Sequence, residues 1–281
     1  MNIDHVTRRR ELVRLVVALA AALAGGAGGA RQASAQEPAP RPARDGAAEP
    51  APLVTDRPDF TESAVAVPAG RLQLETGATW SRAGDDDVYA AGEILLRFGA
   101  LRGLEARLGL GSFVHEDRAG SASSGLADIE LAAKLDVRGV LRADWDVELA
   151  LLGGSTLPTG SGPAGSDDPL PSARLAAALA FGPKVSAGAN LGWTRAEDGQ
   201  ETIDQGLASL ALGFEVAPRW GAFLEGFALL PEGDRPDEVF LDGGLTFLLG
   251  PEVQLDARFG VELDPADAPG LFAGAGASFR F

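Results

Sequence analysis

The chain has 281 residues, no cysteine, 40 Asp plus Glu against 24 Lys plus Arg, and a formal charge of −16. Disulfides and thiolate metal sites are excluded, and so acidic a balance offers no basic face to nucleic acid or anionic lipid. The length allows one large β domain, and nothing in the composition marks a second core.

Arg8, Arg9, Arg10 and Arg14 precede and enter an apolar run from Leu12 to Ala27, which gives way to small residues and Ala33-Ser34-Ala35. These are the basic region, apolar region and cleavage site of a secretory signal peptide over residues 1–35, cut before Gln36. Gly25, Gly26, Gly28 and Gly29 break the end of the run, which favours cleavage over a membrane anchor. Arg9-Arg10 also fits a twin-arginine signal, but Arg8 stands where such signals carry Ser or Thr. That route moves folded cargo, whereas a membrane barrel must cross unfolded.

Residues 36–54 are Pro, Ala, Arg and Glu with almost no large apolar side chain, so a disordered linker is expected. Residues 55–70 are polar and proline-kinked. They read either as a solvated lead-in, which the residues alone favour, or as a periplasmic plug folded into a polar lumen. The plug candidates are Asp56, Arg57, Asp59, Phe60 and Glu62.

From residue 71 onward the pattern has period two. In Val253 to Phe259, Val253, Leu255, Ala257 and Phe259 alternate with Gln254, Asp256 and Arg258, giving one apolar and one charged face. The same alternation places strands at 71–80, 88–98, 104–110, 127–135, 145–153, 174–181, 185–193, 207–216, 220–228, 239–249, 253–261 and 271–281. A soluble sandwich and a membrane barrel share this periodicity. Connection lengths separate them. Tight turns at 99–103, 182–184, 217–219 and 250–252 alternate with longer polar links at 81–87, 114–125, 156–172, 194–204, 230–238 and 262–270. Only 136–144 is longer than its side predicts. Short turns at one end and long loops at the other mark an outer-membrane meander, which a Greek-key sandwich would not reproduce. The expected fold is all-β: a transmembrane up-and-down antiparallel β-barrel of about twelve strands over residues 71–281, behind the signal peptide and linker.

The charged face then lines the lumen. It contains Glu75, Glu93, Glu105, Asp128, Glu130, Asp146, Glu148, Glu225, Asp242 and Asp256, with Arg71, Arg97, Arg107, Lys134, Arg174, Arg258 and Arg280. Acids outnumber bases there, so neutral or cationic solutes are expected to pass more readily than anions. On the apolar face, Trp80 and Trp193 fall at outer strand ends and Trp145 and Trp220 at periplasmic ends, the places of interfacial aromatic girdles. Phe279 and Phe281 close the last strand. A final strand ending in Phe resembles the signal read by the barrel-assembly machinery.

No catalytic set is legible. His115 falls in an outer loop, where a solvated imidazole is the simpler reading than a base. The pairs Asp128 with Glu130 and Asp146 with Glu148 read as lumen lining ahead of acid and base catalysis. Asp85-Asp86-Asp87 reads as a solvated loop tip ahead of a cation site. No cofactor or metal is expected.

Thr55-Asp56-Arg57-Pro58-Asp59-Phe60-Thr61-Glu62-Ser63, followed by Val67-Pro68-Ala69-Gly70 and Leu72-Gln73-Leu74-Glu75, resembles the start of the family named for the phenol meta-cleavage (MetA) degradation pathway. Gly125 to Lys134, Leu157-Pro158-Thr159-Gly160 and Val253-Gln254-Leu255-Asp256 are similar to further parts of it, with Ala127 where Gly is expected. The resemblance implies an outer-membrane barrel that acts as a transporter. The expected function is passive passage of small, aromatic or otherwise hydrophobic molecules. A closed barrel with a structural or surface role, and a barrel-embedded enzyme, are the alternatives. Expected partners are small solutes, outer-membrane lipid and lipopolysaccharide, and the barrel-assembly machinery, with no nucleic acid.

Overall fold

The computed structural model describes residues 53–118, 120–141, 146–199, 201–263 and 270–281. The expected signal peptide, nearly all of the linker, and Trp145 lie outside these residues.

The fifteen strands are β1 (Leu72–Ala83), β2 (Asp86–Ala91), β3 (Ile94–Leu101), β4 (Leu104–Leu110), β5 (Phe113–Arg118), β6 (Ser121–Leu126), β7 (Ile129–Asp136), β8 (Val147–Leu157), β9 (Leu170–Ala180), β10 (Val185–Asp198), β11 (Glu201–Ala217), β12 (Trp220–Pro231), β13 (Glu238–Gly250), β14 (Val253–Leu263) and β15 (Gly270–Arg280). They make twelve staves, because β2 with β3, β4 with β5, and β6 with β7 are each one stave interrupted once. The interruptions fall at Gly92-Glu93, Gly111-Ser112 and Ala127-Asp128. Gly92 adopts φ 71°, a left-handed conformation that costs glycine little. A side chain at Gly111 would collide with the Ala127 carbonyl, so the adjacent staves can close up at this level.

Sequential antiparallel pairing runs around the barrel, and β1 pairs with β15 from Gln73↔Arg280 to Ala83↔Gly270. This pairing closes the barrel, the condition for a sheet in lipid, and leaves β6, in the outer hairpin, paired only with β5 among the described residues. Several expected outer loops are paired strand instead. β1 runs on to Ala83, β5 and β6 form a hairpin over 113–126, and β10 and β11 stay paired to Asp198↔Glu201. Beyond the bilayer both strand faces can be polar, so ladders continue where apolar alternation stops. The long connection after β7 contains a short helix, α1 (Val137–Leu141), whose Gly139 N–H donates to Asp136 Oδ1 at 2.7 Å.

The molecule is inverted relative to a soluble domain. Its largest fully buried side chains include Arg97, Lys134, Gln73, Glu75 and Glu105, while Phe98, Leu131, Leu245 and Phe259 are each about half exposed, at 45%, 51%, 51% and 54%. An apolar belt around a charged interior fits hydrocarbon outside and a polar lumen inside, and decides against the soluble sandwich. Trp80, Trp193 and Trp220 share the outward parity. Phe279 does too, and Phe281 ties the chain end to β1 by mutual backbone bonds with Leu72.

Candidate functional site

Residues 53–67 lie inside the barrel, held by the inward face of most of the wall, and Pro68-Ala69-Gly70 form the exposed turn into β1. The segment enters beside β1, where Gln73 Nε2 donates to the Val54 carbonyl at 2.9 Å. Asp56 is the hub. Its carboxylate accepts from Arg107 at 2.6 Å and from Lys134 at 2.9 Å, and lies 3.2 Å from Arg97. Its own N–H donates to Glu75, which also receives Arg97 at 2.7 Å. Glu105 binds Arg97 at 2.8 Å and accepts the Val67 N–H at 2.8 Å where the segment leaves. Three cations on β3, β4 and β7 thus converge on one carboxylate supplied by the segment. Burial pulls the Asp56 carboxyl upward, but Arg97, Lys134 and Arg107 outweigh it and hold the group well below the usual range.

Beyond Asp56, Arg57 bridges Glu93 at 2.8 Å and Asp256 at 3.4 Å. Its guanidinium lies against Gly77 and Gly276, which face each other across the β1–β15 seam. A Cβ on Gly276 would sit 2.5 Å from Arg57 Nε, so the missing side chains make the cradle. The turn of the segment is fixed by Glu225 together with the neutral Ser209 and Asn190. Phe60 N–H donates to Glu225 at 2.6 Å, Thr61 meets Glu225 and Ser209, and Glu62 N–H donates to Asn190 Oδ1 at 2.7 Å. Asn190 Nδ2 returns a bond to the Glu62 carbonyl at 3.0 Å, and the Glu62 carboxylate receives Arg107 at 2.9 Å. Ala64 then packs on Ala150 and Ala176 of β8 and β9.

Asp59 has a different environment. Burial, followed by the nearby Glu225 carboxylate and then Asp56 and Asp242, pushes its carboxyl well above the ordinary value. Glu62 is raised more modestly, by burial and Asp56, against Arg107 and Lys134.

Two cavities flank the segment. One of about 640 Å³ opens toward the short turns and is lined by Arg57, Pro58 and Asp59 with Lys184, Arg219 and Phe223. The other, about 440 Å³, opens toward the long hairpins and is lined by Phe60 and Glu62 with Arg107, Glu130, Arg174 and Leu207. Consecutive residues of one turn therefore face opposite compartments.

The residues proposed from sequence to line the lumen fall into three groups. Glu75, Glu93, Arg97, Glu105, Arg107, Lys134, Arg174, Glu225, Asp242 and Asp256 are gathered around the segment, while Glu130 and Arg258 face the interior without an ion pair among the described residues. Arg71 and Glu148 sit at the short-turn rim, paired with Glu252 at 3.0 Å and Arg138 at 3.2 Å. Asp128 and Asp146 differ from the expectation. Asp128 organises an outer loop, accepting the N–H groups of Thr159 at 2.9 Å, Gly160 at 2.6 Å and Ser166 at 2.9 Å. Burial acts upward on its carboxyl, yet the Ser166 hydroxyl and these amides hold it below the ordinary value. Asp146 is exposed in the bend before β8. Both carry inward parity, but they lie beyond their strands, where parity no longer dictates direction.

His115 is on β5, with Nδ1 2.8 Å from Ser124 Oγ across the hairpin. Among the described residues, no group of three or more His, Cys, Asp or Glu side chains could hold a metal ion.

Sequence reading missed Asn190, Ser209 and Thr61, which carry no charge to draw attention. It also missed Phe227, Phe240 and Phe272 on the lumen face. Phe227 lies two residues from Glu225 and Phe240 two from Asp242, so parity counted from the charged residues would have found both.

Two solved structures share this architecture. The COG4313 outer membrane channel from Pseudomonas putida F1 aligns with a TM-score of 0.64 at 15% identity, covering 78% of this chain and 98% of that one. The NanC porin aligns with a TM-score of 0.51 at 7% identity, covering 73% and 98%. At these identities the likeness establishes the fold, a closed outer-membrane β-barrel. No curated protein matches the sequence. The family model described as MetA-pathway of phenol degradation matches residues 55–281, from the start of the inserted segment to the last residue of the barrel, and the chain belongs to that family.

Proposed function

We propose that the chain is a passive, selective channel for small solutes across the outer membrane, and that residues 55–70 act as a plug that narrows it. The observation that carries this reading is the position of residues 57–62 between two cavities, with the segment anchored to the wall by ion pairs. A twelve-stave barrel is wider than the eight-stranded barrels that side chains fill and narrower than the open porins, so a partly occluded lumen fits its size. Arg57, Arg97, Arg107 and Lys134 are shared among Asp56, Glu62, Glu75, Glu93, Glu105 and Asp256, so the field met by a solute varies along the lumen rather than following the sum counted along the sequence. The outward apolar belt supports insertion in outer-membrane lipid beneath lipopolysaccharide, and Phe279 and Phe281 are the residues we assign to recognition by the barrel-assembly machinery. We assign no catalytic residue.

Liposome swelling tests the proposal, with the mature chain and a form lacking residues 36–64 compared on a small neutral aromatic solute, a sugar and an organic anion. Swelling that discriminates among the solutes, and rises on truncation, is expected. Absence of swelling in both forms would replace the channel by a closed structural barrel.

A further inference from the structure

Above the anchored turn the lumen wall changes character. Phe60 stacks on Phe227 with centroids 4.4 Å apart and planes at 12°, and Phe227 stacks on Phe240 at 4.7 Å and 17°. Phe240 meets Phe272 edge to face at 6.2 Å. These four rings form a ladder from the tip of the segment across β12 and β13 to β15. Each end carries a guanidinium: Arg174 lies 5.1 Å over Phe60, and Arg258 lies 5.1 Å over Phe272.

The two guanidinia differ from those that anchor the segment. Arg174 uses only Nη1, in long contacts of 3.3 Å to the Phe60 carbonyl, 3.5 Å to Asn190 and 3.9 Å to Glu62. Its Nε and Nη2 have no partner among the described residues. Among the described residues Arg258 makes no ion pair at bonding distance, although Asp242 and Asp256 lie within its electrostatic reach, and its buried Nε has no hydrogen-bond partner. Stacking occupies the face of a guanidinium and leaves its in-plane donors available, so each can bind a carboxylate while remaining on its ring. The Arg174 and Phe60 end opens into the 440 Å³ outer cavity, a volume within the range of small-molecule sites.

Resting on the reading of the barrel as a solute route, we propose that the Arg174 and Phe60 end of this ladder binds a planar, single-ring aryl carboxylate in the outer cavity. The ring lies against the edge of Phe60, whose faces are taken by Phe227 and Arg174, and the carboxylate turns to Arg174. Asp242 and Glu225 lie two residues from Phe240 and Phe227 on the same inward faces, so an anion is repelled from going deeper ring-last. An aryl ammonium is the competing ligand, since Glu130 lines the same cavity without an ion pair. The stacked guanidinia favour the anion, because a cation would have to share the ladder with Arg174.

Calorimetry on the refolded full-length mature chain in detergent tests this, with benzoate, acetate and benzylammonium as probes. Saturable benzoate binding is expected. Acetate should bind roughly tenfold more weakly for want of ring burial. Arg174→Gln should weaken benzoate about tenfold through loss of the charge-assisted pair. Phe60→Leu should weaken it roughly threefold, and Glu130→Gln should tighten it. Arg174→Lys is the second variant should Arg174→Gln not refold; it keeps the charge, loses the planar donor fork and should also weaken benzoate, with folding checked by the gel shift between unheated and heated samples. Benzylammonium binding more tightly than benzoate, acetate equalling benzoate, or no saturable benzoate binding would each overturn the proposal. Conductance without benzoate binding overturns this site alone. Benzoate binding without conductance leaves the site and overturns the channel.

Discussion

Near the short turns, Arg97, Arg107 and Lys134 are tied to Asp56, Glu75 and Glu105 at 2.6 to 3.2 Å, and little donor capacity is left over. Toward the long hairpins, Arg174 and Arg258 rest on phenylalanine rings with most donors unfilled by the described residues. The same residue type on the same wall thus does two things. Saturated by carboxylates, arginine fixes a piece of chain, because buried charges that lose a partner are left with an uncompensated desolvation cost. Stacked on an aromatic face, it is held by contacts that leave its donors free for a visitor. The inner half is built to stay occupied and the outer half to be occupied and vacated.

The comparison is broken most completely by removing residues 36–64. This should join the two cavities and raise single-channel conductance in planar bilayers severalfold; an unchanged conductance would mean that ions already bypass the segment. Asp56→Asn should come next. It strips the shared partner from three cations at a cost of about 3–5 kcal/mol, so release of the segment should bring conductance close to that of the truncated form.

Acidity sharpens the comparison within the segment itself. Asp56 is held below the ordinary carboxyl value, so its contribution to docking is present above that value and is lost as pH falls through it. Asp59, facing Glu225, Asp242 and Asp56, is raised, so its docking is best below the ordinary value and weakens as pH rises toward its own. Docking should therefore be tightest at about pH 4 and loosen toward neutrality. Conductance measured from acid to neutral pH should rise, and Asp59→Asn should flatten the rise. Glu62, also raised, should leave a residual slope in that variant.

A smaller effect is expected from Gly77→Ala, whose new methyl would meet the Arg57 guanidinium. Overpacking of this kind costs roughly 1–3 kcal/mol, and brief openings should become more frequent in single-channel records. The smallest comes from Arg235→Ala in the outer hairpins. That side chain pairs with Asp198 at 2.7 Å and Glu201 at 2.6 Å in open solvent, where screening makes such pairs weak. Neither conductance nor the heat-induced gel shift should change.

The barrel was legible in the sequence because its physics is local. A strand with lipid on one side and water on the other must alternate, and Val253 to Phe259 records both solvents in seven residues. Alternating turn lengths fixed the meander, and parity placed Glu75, Arg97, Glu105, Arg107, Lys134, Glu225, Asp242 and Asp256 on the inward face. Where the chain leaves the ladder, as at Asp128 and Asp146, parity lost its meaning and the expectation failed. The outer hairpins were missed because polar residues in paired strands resemble polar residues in loops.

What tertiary structure alone decided is which inward residues meet. Asp56 precedes Lys134 by 78 residues and Thr61 precedes Glu225 by 164, separations over which no periodicity speaks. From residues alone, 55–70 reads more readily as a solvated lead-in than as an insert, since a short polar stretch has no apolar face to bury. Barrel closure supplies what the stretch lacks, by bringing cations from β3, β4 and β7 to a single carboxylate and four phenylalanines from distant positions into one stack. Solvent preference is written residue by residue along a chain; convergence across a lumen exists only once the first strand has found the last.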